Sequence, residues 1–117
     1  MTGFSDDERV AIRKGFREVV NMSPRELERW LDTEESARVG DTAQQGDPDA
    51  ESTGHASGRR IVELKRKRVD ELTDDDHEHM RKVVGYVHRH LAQRPDGDVT
   101  DTPWRHSLMN WGHDPLA

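Results

Sequence analysis

The chain has 117 residues, which is enough for one small domain but not for two independent hydrophobic cores. It contains no cysteine, which excludes disulfides, thiolate metal sites and cysteine nucleophiles. Hydrophobic residues make up 31% and charged residues 36%, with a net charge of −6, so we expect a small ordered core beside segments that cannot pack. No apolar run is long enough to cross a membrane and the acidic start is unlike a signal peptide, which predicts a cytoplasmic protein.

The N-terminal region predicts two helices, each with a capping signature at its start. Ser5 and Ser23 are each followed three residues later by a glutamate, which is the spacing of a capping box. Met22 and Leu27 have the spacing of a hydrophobic staple around the second start. A short turn near Asn21 would join the two helices as a pair. Their apolar faces are predicted to carry Ile12, Phe16, Val19, Leu27, Trp30 and Leu31.

The middle of the chain predicts a linker followed by a third helix. Residues 40–56 are rich in glycine and acidic residues and contain no large apolar side chain, so they are predicted to be a flexible acidic linker. Ser57 is expected to cap the next helix. Ile61, Leu64 and Leu72 would lie on its inner face.

The C-terminal half predicts a long helix and a short one. Thr73 is positioned to cap the long helix and residues 94–97 to end it. Thr102 and Pro103 start the short helix, which Gly112 would end. The apolar stripes are Met80, Val84, Val87 and Leu91, then Trp104, Leu108 and Trp111. No segment alternates as a strand would, so we expect an all-α domain over residues 1–117, a compact bundle of four to five helices with a disordered loop between helices two and three.

The basic run at residues 59–68 is the most function-like feature of the sequence. It holds six basic residues and one acidic residue. On one helix it would spread several guanidinium groups over about 15 Å, and the planar forks of arginine match phosphate oxygens. The alternative interpretation is a solvated face whose charges pair with the acids of residues 70–78. The predicted nucleic-acid contacts in this run are Arg59, Arg60, Arg66, Lys67 and Arg68.

The outer face of the long C-terminal helix could extend this contact surface. It carries Lys82, Tyr86 and Arg89 around Gly85. A glycine in mid-helix costs about 1 kcal/mol relative to alanine, so a structural requirement is expected there. Either another helix packs closely against it, or DNA or a partner chain approaches its backbone.

Metal and enzyme chemistry are poorly indicated. The seven histidines include two pairs at i, i+2 spacing, whose side chains point in different directions on a helix. A nucleophile elbow and a glycine-rich phosphate loop are both lacking. We therefore expect no metal site, no cofactor and no catalytic residues.

Four stretches of the sequence resemble a known family. They are SPRELERWLDTEES (23–36), SGRRIVEL (57–64), LTDDDHEHMRKVVGYVHRHLAQRP (72–95) and WRHSLMNWGHDPL (104–116). They are similar to a small uncharacterised prokaryotic and fungal family, a domain of unknown function, some members of which carry an automatic label of DNA-binding protein. The resemblance implies a single conserved unit and favours DNA binding, but it carries over no catalytic residues.

These observations predict a non-enzymatic DNA-binding or DNA-associated protein that contacts phosphates through its Arg- and Lys-rich helix. The alternative is a protein–protein interaction module or small homo-oligomer with no nucleic-acid role. The expected partners are therefore DNA or another protein chain, and not a membrane.

Overall fold

A computed structural model describes residues 3–38 and 53–117, which form six α-helices and no strand. The helices are α1 (Asp6–Val19), α2 (Pro24–Leu31), α3 (Glu34–Arg38), α4 (Thr53–Arg66), α5 (Asp74–Leu91) and α6 (Pro103–Asn110), with a short 3-10 turn at Val69–Glu71. The all-α prediction is confirmed. The number of described helices is higher than the predicted four to five. The helix that was not predicted is α3, which has only 5 residues and is too short to show an apolar period.

The starts of α1, α2, α5 and α6 lie where the local sequence placed them. Ser5 and Ser23 each cap their helix in a reciprocal capping box, as does Thr73 with Asp76. Thr102 caps α6 by accepting a hydrogen bond from the backbone N–H of Arg105. These interactions span three residues, so they could be predicted without knowledge of the fold.

The helices pack as two pairs that α6 joins. α1 packs against α5, with Arg9 donating to Asp74 at 2.8 Å, and α2 packs against α4. The predicted pairing of the first two helices is wrong, because α1 and α2 make little contact with each other. α6 contacts α2, α3, α4 and α5, and the buried Asn110 accepts from Trp30 at 2.7 Å and from Ser36 at 2.5 Å.

The core contains the predicted apolar stripes. Every predicted stripe residue is either buried or packed against the buried cluster. The members that the patterns missed are Val20, Val62, Val83 and Val99. Among the residues described, no helix is long enough and apolar enough to cross a membrane.

The boundaries of α4 differ from the prediction. Residues 40–52 of the predicted linker lie outside the described residues, whereas residues 53–56 belong to α4. Ser57 is therefore buried inside the helix rather than capping it. The reason is tertiary packing, since a Cβ on Gly58 would lie 2.5 Å from the carbonyl oxygen of Asn110 and 2.7 Å from Leu31. Glycine lets α4 approach both neighbours there, which local sequence cannot show.

Candidate nucleic-acid interface

The basic run does not lie on one helix, as the sequence interpretation assumed. α4 ends at Arg66, and Lys67 and Arg68 lie in the turn that follows. The backbone N–H of Arg68 donates to the carboxylate of Glu71 at 2.8 Å, which begins the 3-10 turn. Leu72 consequently reaches the core from beyond the helix rather than from its inner face.

Asp76 binds two of the predicted phosphate contacts. Its carboxylate is 2.8 Å from the ammonium of Lys67 and 3.4 Å from the guanidinium of Arg60, and it also accepts from the backbone N–H of Thr73. Burial raises the pKa of Asp76, but hydrogen bonds from Lys67, Thr73 and Arg60 outweigh it and lower the pKa to about 2. One buried carboxylate therefore holds one cation from α4 and one from the turn after it.

The other three predicted phosphate contacts lie near carboxylates at the surface. Arg66 pairs with Glu28 of α2 at 2.5 Å, and Arg68 pairs with Asp70 at 2.9 Å. Arg59 lines a cleft of about 350 Å³ between α2 and α4, whose acidic residues are Glu28, Asp32 and Glu63. The run thus forms the kind of ion pairs that the alternative interpretation expects.

The outer face of α5 has a different character. Lys82 and Arg89 are exposed and make no ion pair with the residues that the structure describes. Gly85 lies between them, and a Cβ placed there would meet only the guanidinium of Arg89, at 3.1 Å. No neighbouring helix packs on Gly85 within the described ranges, so the close-packing explanation for this glycine is wrong.

Tyr86 is engaged inside the molecule. Its ring stacks on Trp111 with centroids 4.1 Å apart, and on His90 with centroids 5.3 Å apart. Both stacks are nearly parallel, at 13° and 14°. The ring therefore helps to hold α5 to the end of α6 rather than presenting a free face to a base.

His79 marks the place where the two basic segments meet. Its Nε2 lies 3.0 Å from the hydroxyl of Ser57, which joins α5 to α4. Burial lowers the pKa of His79 to about 4, helped by the positive charges of Arg60 and Lys82 and opposed by Asp76. Arg60 from α4 and Lys82 from α5 are thus close enough to act on the same imidazole.

Sequence reasoning missed a second cationic cluster. Arg13 and Arg17 of α1 line a surface groove together with Lys65 and Lys67. The two pairs are about fifty positions apart in the sequence, and no local pattern connects them. Only the packing of α1 near the end of α4 brings these charges together.

Metal binding has no geometric support in the described part of the chain, where no three His, Asp or Glu side chains converge. His77, for example, is buried, with Nδ1 donating to the carbonyl of Thr73 at 2.8 Å and Nε2 accepting from Arg13 at 3.1 Å. Nε2 therefore joins α5 to α1, and Nδ1 bonds within the start of α5.

The fold and its surface define a small all-helical protein with ion-paired cations around α4 and, on α5, two exposed cations that make no ion pair with the described residues. Residues 15–109, which are more than half of the chain, match the family described as protein of unknown function, DUF3140, and the chain belongs to that family. Comparisons with curated proteins and with solved structures gave no match.

Proposed function

We propose that this protein binds DNA by holding backbone phosphates on the outer face of α5. Lys82 and Arg89 each take a phosphate. They are seven residues apart on one helix, which is about 10 Å along its axis. Both side chains are long and flexible, so at that spacing each can reach a phosphate of the same strand.

Gly85 is the observation that carries this proposal. A glycine in mid-helix costs about 1 kcal/mol relative to alanine, and no described neighbour packs closely enough to require it. Among the described residues, only the Arg89 guanidinium approaches the place where a side chain at Gly85 would lie, so the helix backbone there is covered by no neighbouring helix. A phosphate backbone can therefore approach α5 closely at Gly85, where Lys82 and Arg89 supply positive charge on either side.

The cations of the basic run (residues 59–68) are not equally available to DNA. Arg66 and Arg68 make exposed ion pairs, which contribute little, so a phosphate can replace their carboxylates at little cost. Arg60 and Lys67 are held by the buried Asp76, and breaking those pairs would strand its charge. Arg66 of α4 and Arg68 of the turn after it are accordingly the cations of the basic run from which a phosphate can displace a carboxylate.

The test is a salt titration of binding to a labelled duplex by fluorescence anisotropy. The logarithm of the association constant should fall with the logarithm of salt concentration, with a slope of about −2 for two phosphates and about −4 if Arg66 and Arg68 also bind. A Lys82→Glu, Arg89→Glu double variant should bind more weakly and with a slope shallower by about 2.

The matched control reverses two exposed cations on α2, in an Arg25→Glu, Arg29→Glu variant. It changes the net charge by the same amount, so a comparable loss of binding would show a general charge effect rather than a site on α5. If the α5 variant is folded and binds as well as the wild type, the proposal is wrong. A wild type without DNA affinity at low salt would leave the protein-interaction alternative.

A further inference from the structure

A groove between α1, the end of α4 and the start of α5 combines an apolar floor with a basic rim. Its volume is about 420 Å³, within the range of small-molecule sites. The floor is formed by Phe16, Leu64, Leu72 and Met80, and Val69 of the 3-10 turn lies at its exposed edge. We call this feature the basic groove.

The rim of the basic groove consists of four cations and no acid. They are Arg13, Arg17, Lys65 and Lys67. Asp76, which binds Lys67, also binds Arg60, so one negative charge is shared by two positive charges and cannot neutralise the rim. Arg17 is exposed and makes no ion pair within residues 3–38 and 53–117. The groove is therefore locally positive in a chain whose net charge is −6.

Lys65 is the rim cation whose charged form is disfavoured by burial. It is half-buried, and its ammonium donates to the carbonyl oxygen of Val20 at 3.3 Å. Burial lowers the pKa of Lys65, and the charge of Glu26 opposes this only in part. An anion placed beside the ammonium would relieve that cost, because an opposite charge favours the protonated form.

The chemistry of the groove selects its ligand. An apolar floor attracts a hydrocarbon chain, whereas four cations without an acid repel cationic ligands and favour an anionic group over a neutral one. The volume suits a small molecule better than a protein helix. The groove does not include Lys82 or Arg89, since the buried Met80 of α5 contributes to its floor whereas Lys82 faces solvent.

We propose that the basic groove binds a small amphipathic carboxylate, with its alkyl chain on Phe16, Leu72 and Met80 and its carboxylate held by Arg17 and Lys65. The guanidinium fork of Arg17 matches the two carboxylate oxygens, and the Lys65 ammonium supplies a second charge-assisted hydrogen bond. This site is independent of DNA binding, and neither proposal requires the other.

Isothermal titration calorimetry with decanoate, below its micelle-forming concentration, tests the site. Decanoate should bind the full chain. Decanol lacks the charge and acetate lacks the chain, so each should bind about tenfold more weakly or worse. Absence of decanoate binding, or decanol binding as tightly as decanoate, overturns the proposal.

An Arg17→Ala variant locates the ligand, since this exposed side chain can be removed without opening the core. Decanoate affinity should fall about tenfold in this variant, as expected for the loss of a charged hydrogen bond. Arg29→Ala on α2 is the matched control and should bind as the wild type does. Equal affinities of the Arg17→Ala variant and the wild type would place the ligand elsewhere and refute the assignment. Circular dichroism melts of both variants confirm that they are folded.

Discussion

Asp76 shows how a single residue can join two helices that hardly touch. α4 and α5 make little backbone contact, yet the Asp76 carboxylate at the start of α5 binds Arg60 within α4 and Lys67 just beyond its end. The same carboxylate completes the α5 capping box with Thr73. Its desolvation is unfavourable, and the three hydrogen bonds more than offset it, so the ionised form stabilises the fold.

An Asp76→Asn variant should lose about 2 kcal/mol of unfolding free energy at neutral pH, from the difference between a pKa of 3.8 when unfolded and about 2 when folded. Because the folded pKa is the lower one, the unfolded state binds more protons between these values. The wild type therefore loses this stability as the pH falls from about 4 to about 2, and the variant has none of it to lose. Urea unfolding at several pH values measures both effects.

Asp75→Asn is the control for this prediction, because Asp75 is the exposed neighbour in the same first turn of α5. It makes the same chemical change without touching Arg60 or Lys67. It should retain the wild-type stability at neutral pH to within about 0.5 kcal/mol. If both variants lose the same stability, the helix dipole rather than the shared ion pair explains the effect.

At the scale of an element, the position of α4 depends on the close approach at Gly58. A Cβ there would lie 2.5 Å from the backbone oxygen of Asn110, which cannot move without shifting α6. Gly15 of α1 differs, since its Cβ would meet Val84 at 3.5 Å, an ordinary contact. The two glycines therefore have opposite expected responses to the same substitution.

Gly58→Ala should lower the unfolding free energy by about 1–3 kcal/mol, because α4 must move away from α2 and α6. Gly15→Ala should raise it by as much as about 1 kcal/mol, because alanine is the better helix former and nothing must shift. Thermal or urea unfolding distinguishes the two. A stabilising Gly58→Ala change would contradict the close packing of α4.

Gly85→Ala separates helix stability from DNA binding on α5. Only the Arg89 guanidinium must move to admit the methyl group, so the helix should become more stable by as much as about 1 kcal/mol. DNA affinity should nevertheless fall, because the methyl group occupies the point of close approach. Anisotropy and urea unfolding on the same preparation measure the pair of effects. Unchanged or tighter DNA binding would remove the reason for proposing contact at Gly85.

The elements that sequence could predict are those specified by short-range chemistry. The capping boxes of α1, α2 and α5 and the apolar stripe of α5 each depend on residues within a few turns of one another. The first turn of α4 depends instead on tertiary contacts, since its His55 meets the Leu31 carbonyl at 2.7 Å. α3 likewise depends on a tertiary contact, because the hydroxyl of Ser36 donates to Asn110, which is distant in the sequence.

At the scale of the whole molecule, the candidate site could be predicted only in part. The sequence identified Lys82 and Arg89 as cations on an outer helix face, because helical periodicity places them there. It could not show that Glu28 lies against Arg66, or that Arg17 lies across a groove from Lys65, since those distances arise from the packing of separate helices. Charge patterns along a chain therefore indicate where cations are, but not which remain available.

At the scale of the whole molecule, the pH dependence of stability near neutrality should depend in part on the junction at His79 and in part on His90, whose pKa is also lowered by burial. Burial, Arg60 and Lys82 keep its folded pKa near 4, below the ordinary value of 6.5, so the folded state prefers the neutral imidazole. Between those values the unfolded state binds more protons, and stability should fall as the pH drops from about 6.5 to about 4. His79→Gln can still hydrogen-bond Ser57 but does not titrate, so it should flatten this slope. Urea unfolding between pH 4 and pH 6.5 measures this slope, with the exposed His88→Gln variant as control. An unchanged slope in the His79→Gln variant would assign the pH dependence to other groups.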